Sequence, residues 1–412
     1  MSRSCLCAAR GALLVLYLVA QTPLTIGRFA GGGTLLKTGF AWLLGISTAL
    51  LSVPGSVAFA AERFPQECVV FTSGEHGYFA YRIPALVVAA DGTLLALAEA
   101  RKHSLSDPGG QGQQIDLVLR RSGDRGRTWS PMQVIEHAGQ LCSSANPSVV
   151  LDRSNGLLWL FYIRCQPGRG SATARPGSDD VLNLVRYSDD AGKSWSQPID
   201  ITRTARDYND PQWRITVPGP GGAIQTRSGR LLVPCWKREP YRNFVLLSDD
   251  HGKSWQRGQI IPNQDGSDEA QLVQRCDGTL WMDCRQHTGE HRLLLESRDD
   301  GRSWKALGNG QKVTPVMCAI ERFTCRDKGA VHDRIIWSGP RGPGRKTLCI
   351  WTLYNDDVHF KNPRQLWDGH AAYSDLAILD DGTVGILWEK GIDKPYQYIA
   401  FSRVDLSWLE PR

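Results

Sequence analysis

The sequence predicts an all-β fold, a six-bladed β-propeller of four-stranded antiparallel blades. Two interleaved series of motifs and the scarcity of helical periodicity after residue 61 indicate this fold. The first series is an eight-residue box, Ser-x-Asp-x-Gly-x-Ser/Thr-Trp, whose intact copies start 66, 60 and 49 residues apart. Recurrence at such a period is typical of repeat architectures. The intact copies are Ser122–Trp129, Ser188–Trp195, Ser248–Trp255 and Ser297–Trp304, and a worn fifth copy is predicted at Tyr354–Phe360.

A series of glycine-containing turns alternates with the boxes, and each turn lies beside an apolar run such as Thr93–Leu97 or Thr383–Trp388. We predict two-residue hairpin turns here, because Asn-Gly and Asp-Gly supply the positive φ that such turns need. The six turns are Asp91-Gly92, Asn155-Gly156, Ser228-Gly229, Asp277-Gly278, Lys328-Gly329 and Asp381-Gly382. One box follows each of the first five turns, so that six units of about 59 residues fill 61–412.

The sixth unit has no box, and we expect it to close the ring. Its last strand is predicted at Ile399–Val404, paired with a strand near Val69–Phe71 from the start of the domain. We interpret the box as a staple that fixes a turn, rather than as a sugar or calcium site. Its glycine accepts a left-handed backbone, its aspartate accepts hydrogen bonds from nearby N–H groups, and its tryptophan packs between strands with the indole N–H bonded outward.

Residues 1–60 have the features of an export signal. They contain four basic residues and no acidic one, which leaves 44 basic and 42 acidic residues in the rest of the chain. This balance does not indicate a nucleic-acid partner, which requires a clustered basic face. Apolar runs and the small residues Ala58-Phe59-Ala60 predict a signal peptide cleaved near Ala60. We therefore expect an exported protein, secreted or periplasmic, or membrane-anchored if the leader stays uncleaved.

Nine cysteines lie beyond this leader, so at least one thiol is unpaired in a monomer. Their connectivity does not follow from the sequence. They include no CxxC pair with zinc spacing, and the sequence indicates neither a metal site nor a cofactor.

Polar residues that flank the strands are the candidates for chemistry, because propeller loops converge at one end of the central channel. Arg82 stands in Tyr81-Arg82-Ile83-Pro84 at the entry of an apolar strand, and Arg101 ends the next strand. The loop after Arg101 carries Asp107 among Ser, Pro and Gly, where we expect few packing contacts for the Asp107 side chain. Arg285 and Arg345 lie beside strands of later blades.

With these residues the chain resembles the bacterial-type exo-sialidases (neuraminidases), which carry Asp boxes and a Y/F-R-I-P motif. The resemblance covers about residues 64–410. Boxes occur in other propellers, but boxes together with Tyr81–Pro84 and the late Tyr373 and Glu389 are specific. Further stretches like those of the family are Ala100–Asp107, Asn146-Pro147, Gly219–Gln225, Asp268–Gln271, Ala372–Leu376 and Trp388–Gly391.

The resemblance implies three arginines that bind the substrate carboxylate, here Arg82, Arg285 and Arg345. Guanidinium groups suit this task because they stay charged and form bidentate bonds with carboxylates. The spacing around Arg345 departs from the usual pattern, and Arg341 is an alternative. Arg101 matches an arginine that contacts the hydroxyl edge or the carboxylate of the sugar. Glu389 matches a carboxylate that orients the first arginine.

The resemblance also implies a tyrosine nucleophile, Tyr373, with Glu269 as its base and Asp107 as the acid/base catalyst. A neutral phenol avoids the repulsion that a carboxylate nucleophile meets at an anomeric carbon bearing a carboxylate. Its pKa of about 10 makes an adjacent base necessary. The implied reaction is the retaining hydrolysis of terminal α-linked sialic acids on glycoproteins, glycolipids or oligosaccharides, without a cofactor. A trans-sialidase and a non-catalytic sialic-acid-binding propeller are the alternatives.

Overall fold

The structure is a computed structural model that describes residues 64–262, 266–355, 357 and 360–410. The described residues belong to the unit Ala61–Arg412. The leader predicted for residues 1–60 lies outside them, as do residues 356, 358 and 359 of the worn fifth box. None of the described helices is long and apolar enough to cross a membrane.

Strands dominate the described part of the chain, which confirms the all-β prediction. In chain order the strands are β1 (Gln66–Thr72), β2 (Ala80–Val88), β3 (Leu94–Arg101), β4 (Ile115–Ser122), β5 (Gln133–Glu136), β6 (Ser143–Leu151), β7 (Leu158–Cys165), β8 (Val181–Ser188), β9 (Ile199–Asp200), β10 (Ile215–Pro218), β11 (Ile224–Gln225), β12 (Leu231–Arg238), β13 (Arg242–Ser248), β14 (Gln256–Arg257), β15 (Ser267–Gln274), β16 (Leu280–Gln286), β17 (His291–Ser297), β18 (Lys305–Lys312), β19 (Ala319–Thr324), β20 (Arg334–Pro340), β21 (Leu348–Tyr354), β22 (Lys361–Gln365), β23 (His370–Ile378), β24 (Val384–Gly391) and β25 (Tyr398–Val404). The helices are α1 (Thr202–Ala205), α2 (Leu406–Leu409) and a 3-10 turn at Arg326–Lys328.

These strands form small sheets in a propeller-like arrangement. Two four-stranded antiparallel sheets run β15-β16-β17-β18 and β19-β20-β21-β22, and a five-stranded sheet holds β10 to β14. The remaining four-stranded sheet has the order β1-β25-β24-β23. Because β1 pairs with β25 there, the predicted closure between the two ends of the domain is confirmed.

The largest sheet contains eight strands and consists of two antiparallel groups. One group holds β2 to β5 and the other holds β6 to β9. A single parallel pair, Ile115 with Ser143, joins them. Large apolar side chains fill the spaces between neighbouring sheets, and Trp281, Trp337 and Trp388 are fully buried there.

The predicted turns lie between the expected strands, but their length differs from the prediction. Ala89 N–H donates to the Thr93 carbonyl at 2.8 Å, so the loop between them has three residues. Within it, positive φ is confined to Gly92, at 84°. A two-residue hairpin turn needs a positive φ at its first central residue, which would be Asp91, and Asp91 has none. The prediction of a two-residue turn is therefore wrong here. A three-residue loop ending in a left-handed glycine recurs at Gly229, Gly278 and Gly382, whereas the loop at Gly156 has four residues and Gly329 lies in a longer connection.

The boxes form the staples that the sequence predicts. In the copy at Ser248–Trp255, Asp250 accepts bonds from the Ser254 N–H at 2.9 Å and the Ser254 hydroxyl at 2.6 Å. The Ser248 hydroxyl donates to Asp250 at 2.7 Å and accepts the Gly252 N–H at 2.8 Å. Gly252 has φ of 82°. The other three intact copies repeat the bonds to the aspartate and the glycine N–H.

The box at Ser248–Trp255 also attaches its sheet to a neighbour. Trp255 packs on Trp159 and Phe161 of β7, with ring centroids 5.8 and 4.6 Å apart. The predicted outward bond of the indole is wrong for this copy, since the buried Trp255 Nε1 has no hydrogen-bond partner within the described structure. A disulfide, Cys276–Cys325, adds a covalent link between two sheets, and the other seven described cysteines are free thiols.

Candidate active site

A tyrosine, a glutamate and an arginine from three different strands meet at one end of the channel. The Tyr373 hydroxyl donates to Glu269, with both carboxylate oxygens 2.7 Å away. Arg285 Nη1 lies 2.6 Å from Glu269 Oε2 and 3.1 Å from the Tyr373 hydroxyl. Tyr373 is only 5% exposed. The phenol therefore has an adjacent base to take its proton and a cation to stabilise the anion that results.

Arg82 is held against the same tyrosine by a buried glutamate. Glu389 accepts a bidentate pair from Arg82 Nε and Nη2 at 2.9 and 3.0 Å. The Arg82 guanidinium carbon lies 5.2 Å from the ring centre of Tyr373 and 4.0 Å from that of Tyr396. Such a buried pair contributes little net stability, because both ions lose hydration. Its effect is to fix the direction of the guanidinium.

Breaks in strand register aim these side chains into the channel. The pairing of β2 with β3 shifts between Arg82 and Ala85, and that of β23 with β24 shifts between Ala371 and Ser374. A similar shift in β15 lies between Ser267 and Ala270, around Glu269. Bulges of this kind bend a strand and redirect a side chain, and they are frequent next to active sites.

The two candidates for the third arginine lie in different surroundings. The Arg345 guanidinium carbon lies 5.5 Å from the ring centre of Tyr373, and its Nη1 donates to the Tyr396 hydroxyl at 2.8 Å. Arg341 is exposed and bonds Gln365 at 3.4 Å. Arg345 thus joins Arg82 and Arg285 around one phenol ring, and Arg341 does not.

Arg101 and Asp107 are linked at the mouth of the cleft. Arg101 is 1% exposed, and Glu99 accepts bonds from its Nε and Nη2 at 3.0 and 2.8 Å. Its Nη1 donates to the carbonyls of Leu105 and Ser106 and lies 3.3 Å from Asp107 Oδ1. The Asp107 side chain is 87% exposed. Arg101 therefore anchors the loop that presents Asp107.

Six of the eight sequence-predicted site residues line a cavity of about 250 Å³, and Arg345 and Glu389 are not in its lining. Arg82, Arg101, Asp107, Glu269, Arg285 and Tyr373 all contribute to its wall. The cavity also has aromatic lining, where Tyr241 stacks on His287 with centroids 5.1 Å apart. Charge at the polar wall and flat rings elsewhere suit an anionic ligand with an apolar or sugar face.

Burial and the surrounding charges shift the acid–base behaviour of the site. Burial and the Glu269 carboxylate raise the pKa of Tyr373 well above its usual value, against the lowering effect of Arg285, Arg82 and Arg345. Burial also raises the pKa of Asp268 to about 6, although Arg285 favours its charged form. Perturbed groups that share a cleft are typical of catalytic sites.

Sequence reasoning missed three residues that shape this site. Glu99 holds Arg101, Tyr396 lies over Arg82, and Asp268 lies 3.6 Å from Arg285 Nε and 3.5 Å from His287 Nδ1. Asp268 stands in a stretch that carries the resemblance and Glu99 directly precedes one, so their acidic character next to the assigned residues was an available signal. Tyr396 lies in no such stretch, and its spacing gives no comparable signal.

Among the described residues, one group of side chains lies close enough together to hold a metal ion, namely Cys276, Cys325 and Asp333. The two cysteines are joined as a disulfide, so they offer no thiolate to a metal ion.

Comparison with known proteins places the chain among sialidases. A family model described as a BNR repeat-like domain matches residues 85–386. The chain is 31% identical to Sialidase-2 of Mus musculus over 377 residues, which cover 82% of this chain and 95% of that protein. It is 30% identical to a sialidase of Micromonospora viridifaciens over 359 residues, 82% of this chain. It spans about half of that bacterial relative, 53%, and 62% of a sialidase of Bacteroides fragilis.

Solved structures agree with the fold. The Hadza microbial sialidase Hz136 superposes with a TM-score of 0.72 at 26% identity, covering 81% of this chain and 67% of that one. An intramolecular trans-sialidase from Ruminococcus gnavus superposes with a TM-score of 0.71 at 18% identity, covering 83% and 98%. At that lower identity the likeness concerns the fold alone.

Proposed function

Since the chain belongs to the family of bacterial-type sialidases with BNR repeats, we propose that it is a retaining exo-sialidase. Its substrates would be terminal α-linked sialic acids on glycoproteins, glycolipids and oligosaccharides. The observation that carries the proposal is the contact of Tyr373 with both Glu269 and Arg285 in a cleft bounded by arginines. A phenol paired with a carboxylate base is the arrangement that an anionic substrate favours over a carboxylate nucleophile.

Arg82, Arg285 and Arg345 bind the substrate carboxylate in this proposal. All three approach the ring or hydroxyl of Tyr373, so a carboxylate bound among them lies close to the nucleophile. Planar guanidinium groups form paired bonds with such a carboxylate. Glu389 keeps Arg82 directed toward it.

The first half-reaction transfers the sugar to Tyr373. The phenol proton passes to Glu269 across the 2.7 Å hydrogen bond as the phenol oxygen attacks the anomeric carbon. The bond to the glycosidic oxygen breaks, and Asp107 supplies the proton that this leaving oxygen takes. Proton transfer alone leaves the net charge of the Tyr373–Glu269 pair unchanged, and bond formation to the sugar then makes the pair neutral while Asp107 becomes negative.

The second half-reaction releases the sugar. Asp107, now a carboxylate, removes a proton from water, and the resulting oxygen attacks the anomeric carbon from the vacated side. The phenol oxygen leaves and regains the proton held by Glu269. Two displacements at the same carbon restore its configuration, which makes the reaction retaining. The exposure of Asp107 at the cleft mouth suits contact with both a leaving glycan and water.

The closed floor of the cleft supports action at chain ends. Below Tyr373 and Glu269, Gln271 Nε2 and Asp375 Oδ1 lie 2.8 Å apart. A second cavity, of about 240 Å³, begins beyond Asp375 toward the opposite end of the channel. A glycan therefore enters the upper cavity by its terminus and does not thread through the channel.

A hydrolysis assay tests the proposal. Purified protein should release the aryl group from an aryl α-sialoside, and Tyr373→Phe and Asp107→Ala should each abolish release while thermal unfolding stays near that of the wild type. Full activity in either folded variant contradicts the assigned role. Absence of activity in the wild-type protein contradicts the enzyme proposal and favours a sialic-acid-binding propeller.

The same assay separates hydrolysis from transfer. With lactose present, a hydrolase gives free sialic acid as its main product, whereas a trans-sialidase gives sialyllactose. Intramolecular trans-sialidases share the fold of this chain, and we therefore include the lactose measurement.

We also propose six blades. Counting the two groups of the eight-stranded sheet as separate blades brings the five sheets to six. Segments of six successive inner strands line the second cavity, which supports this count. They belong to β2, β6, β11, β15, β19 and β23. A crystal structure of the domain would test it, and a different number of blades around the channel would contradict it.

A further inference from the structure

A second polar pair lies directly beneath the nucleophile and its base. Tyr373 and Asp375 are two residues apart on β23, and Glu269 and Gln271 are two residues apart on β15. The register breaks of β15 and β23 lie at Glu269 and Tyr373, so the contacts themselves show that both pairs face the channel. The contact of Gln271 with Asp375, at 2.8 Å, repeats the contact of Tyr373 with Glu269, at 2.7 Å, one step further down the channel.

Both members of this lower pair are buried and hydrogen-bonded on several sides. Asp375 is 2% exposed and accepts the N–H of Leu86 at 2.7 Å. Gln271 is 1% exposed, and its Oε1 accepts the N–H of Ile320 at 3.1 Å. The pair therefore connects β15 and β23 with two further inner strands, β2 and β19. Breaking such a buried contact leaves groups unsatisfied, which is more costly than losing an exposed one.

Close packing leaves this pair no alternative position. A Cβ on Gly221 would lie 2.7 Å from both Asp375 Oδ2 and Gln271 Nε2, and φ of Gly221 is 64°. Only glycine accepts that conformation together with such an approach. The glycine turn thus encloses the pair from the side of β10.

No strand ladder joins the two members of the upper pair. β15 and β23 belong to different sheets, so backbone hydrogen bonds do not set the distance between them. The separation of Tyr373 from Glu269 therefore depends on contacts between the sheets, among them side chains that cross the channel. Gln271 and Asp375 are the nearest such crossing on the same two strands.

We propose that Gln271 and Asp375 are positioning residues that hold the nucleophile Tyr373 and the base Glu269 at hydrogen-bond distance. This role rests on the proposed sialidase function. Neither residue lines the upper cavity, so neither contacts substrate. Loss of the pair should therefore lower kcat and leave KM nearly unchanged.

An exchange of the two polar groups tests the role. Asp375→Asn places a donor amide opposite the Gln271 amide, and Gln271→Glu places a second carboxylate opposite Asp375. The double variant again has one amide and one carboxylate, with the amide now at position 375 and the carboxylate at position 271. We expect each single change to lower kcat at least about tenfold, since a buried hydrogen bond is lost and a buried polar group is left unsatisfied. We expect the double variant to recover most of kcat, with KM within about threefold throughout.

A similar pair elsewhere supplies the control. Gln225 Nε2 donates to Asp152 Oδ1 at 2.7 Å, both residues are buried, and their contact joins two other sheets. Gln225→Glu should lower the unfolding temperature without changing kcat. Equal loss of kcat in Gln225→Glu and Gln271→Glu would overturn the proposal, as would a double exchange that restores stability and not kcat.

A crystal structure of Gln271→Met makes the test independent of activity. Methionine keeps the length of the side chain and lacks both polar groups, so this variant serves if the exchanged pair fails to fold. We expect the Tyr373 hydroxyl to move out of hydrogen-bond distance from Glu269. An unchanged distance of 2.7 Å overturns the positioning role. Lack of activity in the wild-type protein would instead contradict the proposed function and leave this structural result standing.

Discussion

Replacement of Arg345 by alanine should weaken substrate binding, whereas the same change at Arg341 should have no effect. The Arg345 guanidinium lies 5.5 Å from the ring of Tyr373, and Arg341 is exposed beside Gln365. The two arginines are four residues apart and carry the same charge. Their variants therefore have equal effects on the net charge of the protein and differ in what they remove from the site.

The expected magnitude follows from the bonds that a carboxylate would lose. A hydrogen bond to a charged group contributes about 1.5–3 kcal/mol. At about 1.4 kcal/mol for each factor of ten, Arg345→Ala should lower kcat/KM about 10- to 100-fold. Most of the loss should come as an increase in KM, because the substrate carboxylate is present before and during the reaction.

Steady-state kinetics with an aryl α-sialoside measures this effect. Arg341→Ala should stay within about twofold of the wild type, and Arg345→Lys should fall between wild type and Arg345→Ala because lysine keeps the charge and loses the planar fork. Tyr396→Phe controls for loss of the 2.8 Å bond from Arg345 to Tyr396. A larger loss in Arg341→Ala than in Arg345→Ala would refute the assignment.

Two further predictions concern stability. Gly252→Ala should unfold at a lower temperature than Gly229→Ala. Both glycines have positive φ, but only a Cβ at Gly252 would meet another group, Trp159 at 2.3 Å. An equal decrease in unfolding temperature would show that the backbone conformation alone determines the effect. Burial raises the pKa of Glu321 from its usual 4.5 to about 7, so the folded protein keeps a proton that the unfolded chain releases across this interval, and stability falls as pH rises through it. Glu321→Gln should therefore raise the urea midpoint at pH 8 and not at pH 5, and an equal change at both would contradict this reasoning.

Repetition made the fold readable from the sequence. The box contains its own hydrogen-bond partners within eight residues, so its form depends on little else. The turn glycines mark the strand ends for the same reason. Turn length was misjudged because Asp91 and Gly92 were treated alike, although only Gly92 takes a positive φ. The direction of Trp255 was misjudged because it depends on β7, which is distant in sequence.

Residues of the candidate site could be proposed from the sequence where they stand in a motif. Residues that act through a partner distant in sequence could not be proposed in this way. Arg82 and Glu389 are 307 residues apart in sequence, yet they form a bidentate pair. Nothing in the local sequence of Tyr396 indicates that its ring covers Arg82. The position of Arg345 beside Tyr373, and of Arg341 away from it, likewise depends on the path of the loop. Long-range contacts of this kind arise from the closure of the ring, which local spacing does not encode.

Two strained residues show how the fold holds its arginines. Ile83 and Asn146 each precede a proline and have φ of 57° and 55°, although residues before proline favour extended backbone. Such a conformation costs about 1–3 kcal/mol for each residue. The N–H of Ile83 donates to Glu389 at 2.9 Å, and that of Asn146 donates to Glu99 at 2.9 Å. Each of these glutamates also binds a site arginine. One carboxylate thus fixes both the bend of a strand and the direction of a guanidinium, so loss of its charge should disturb the two together.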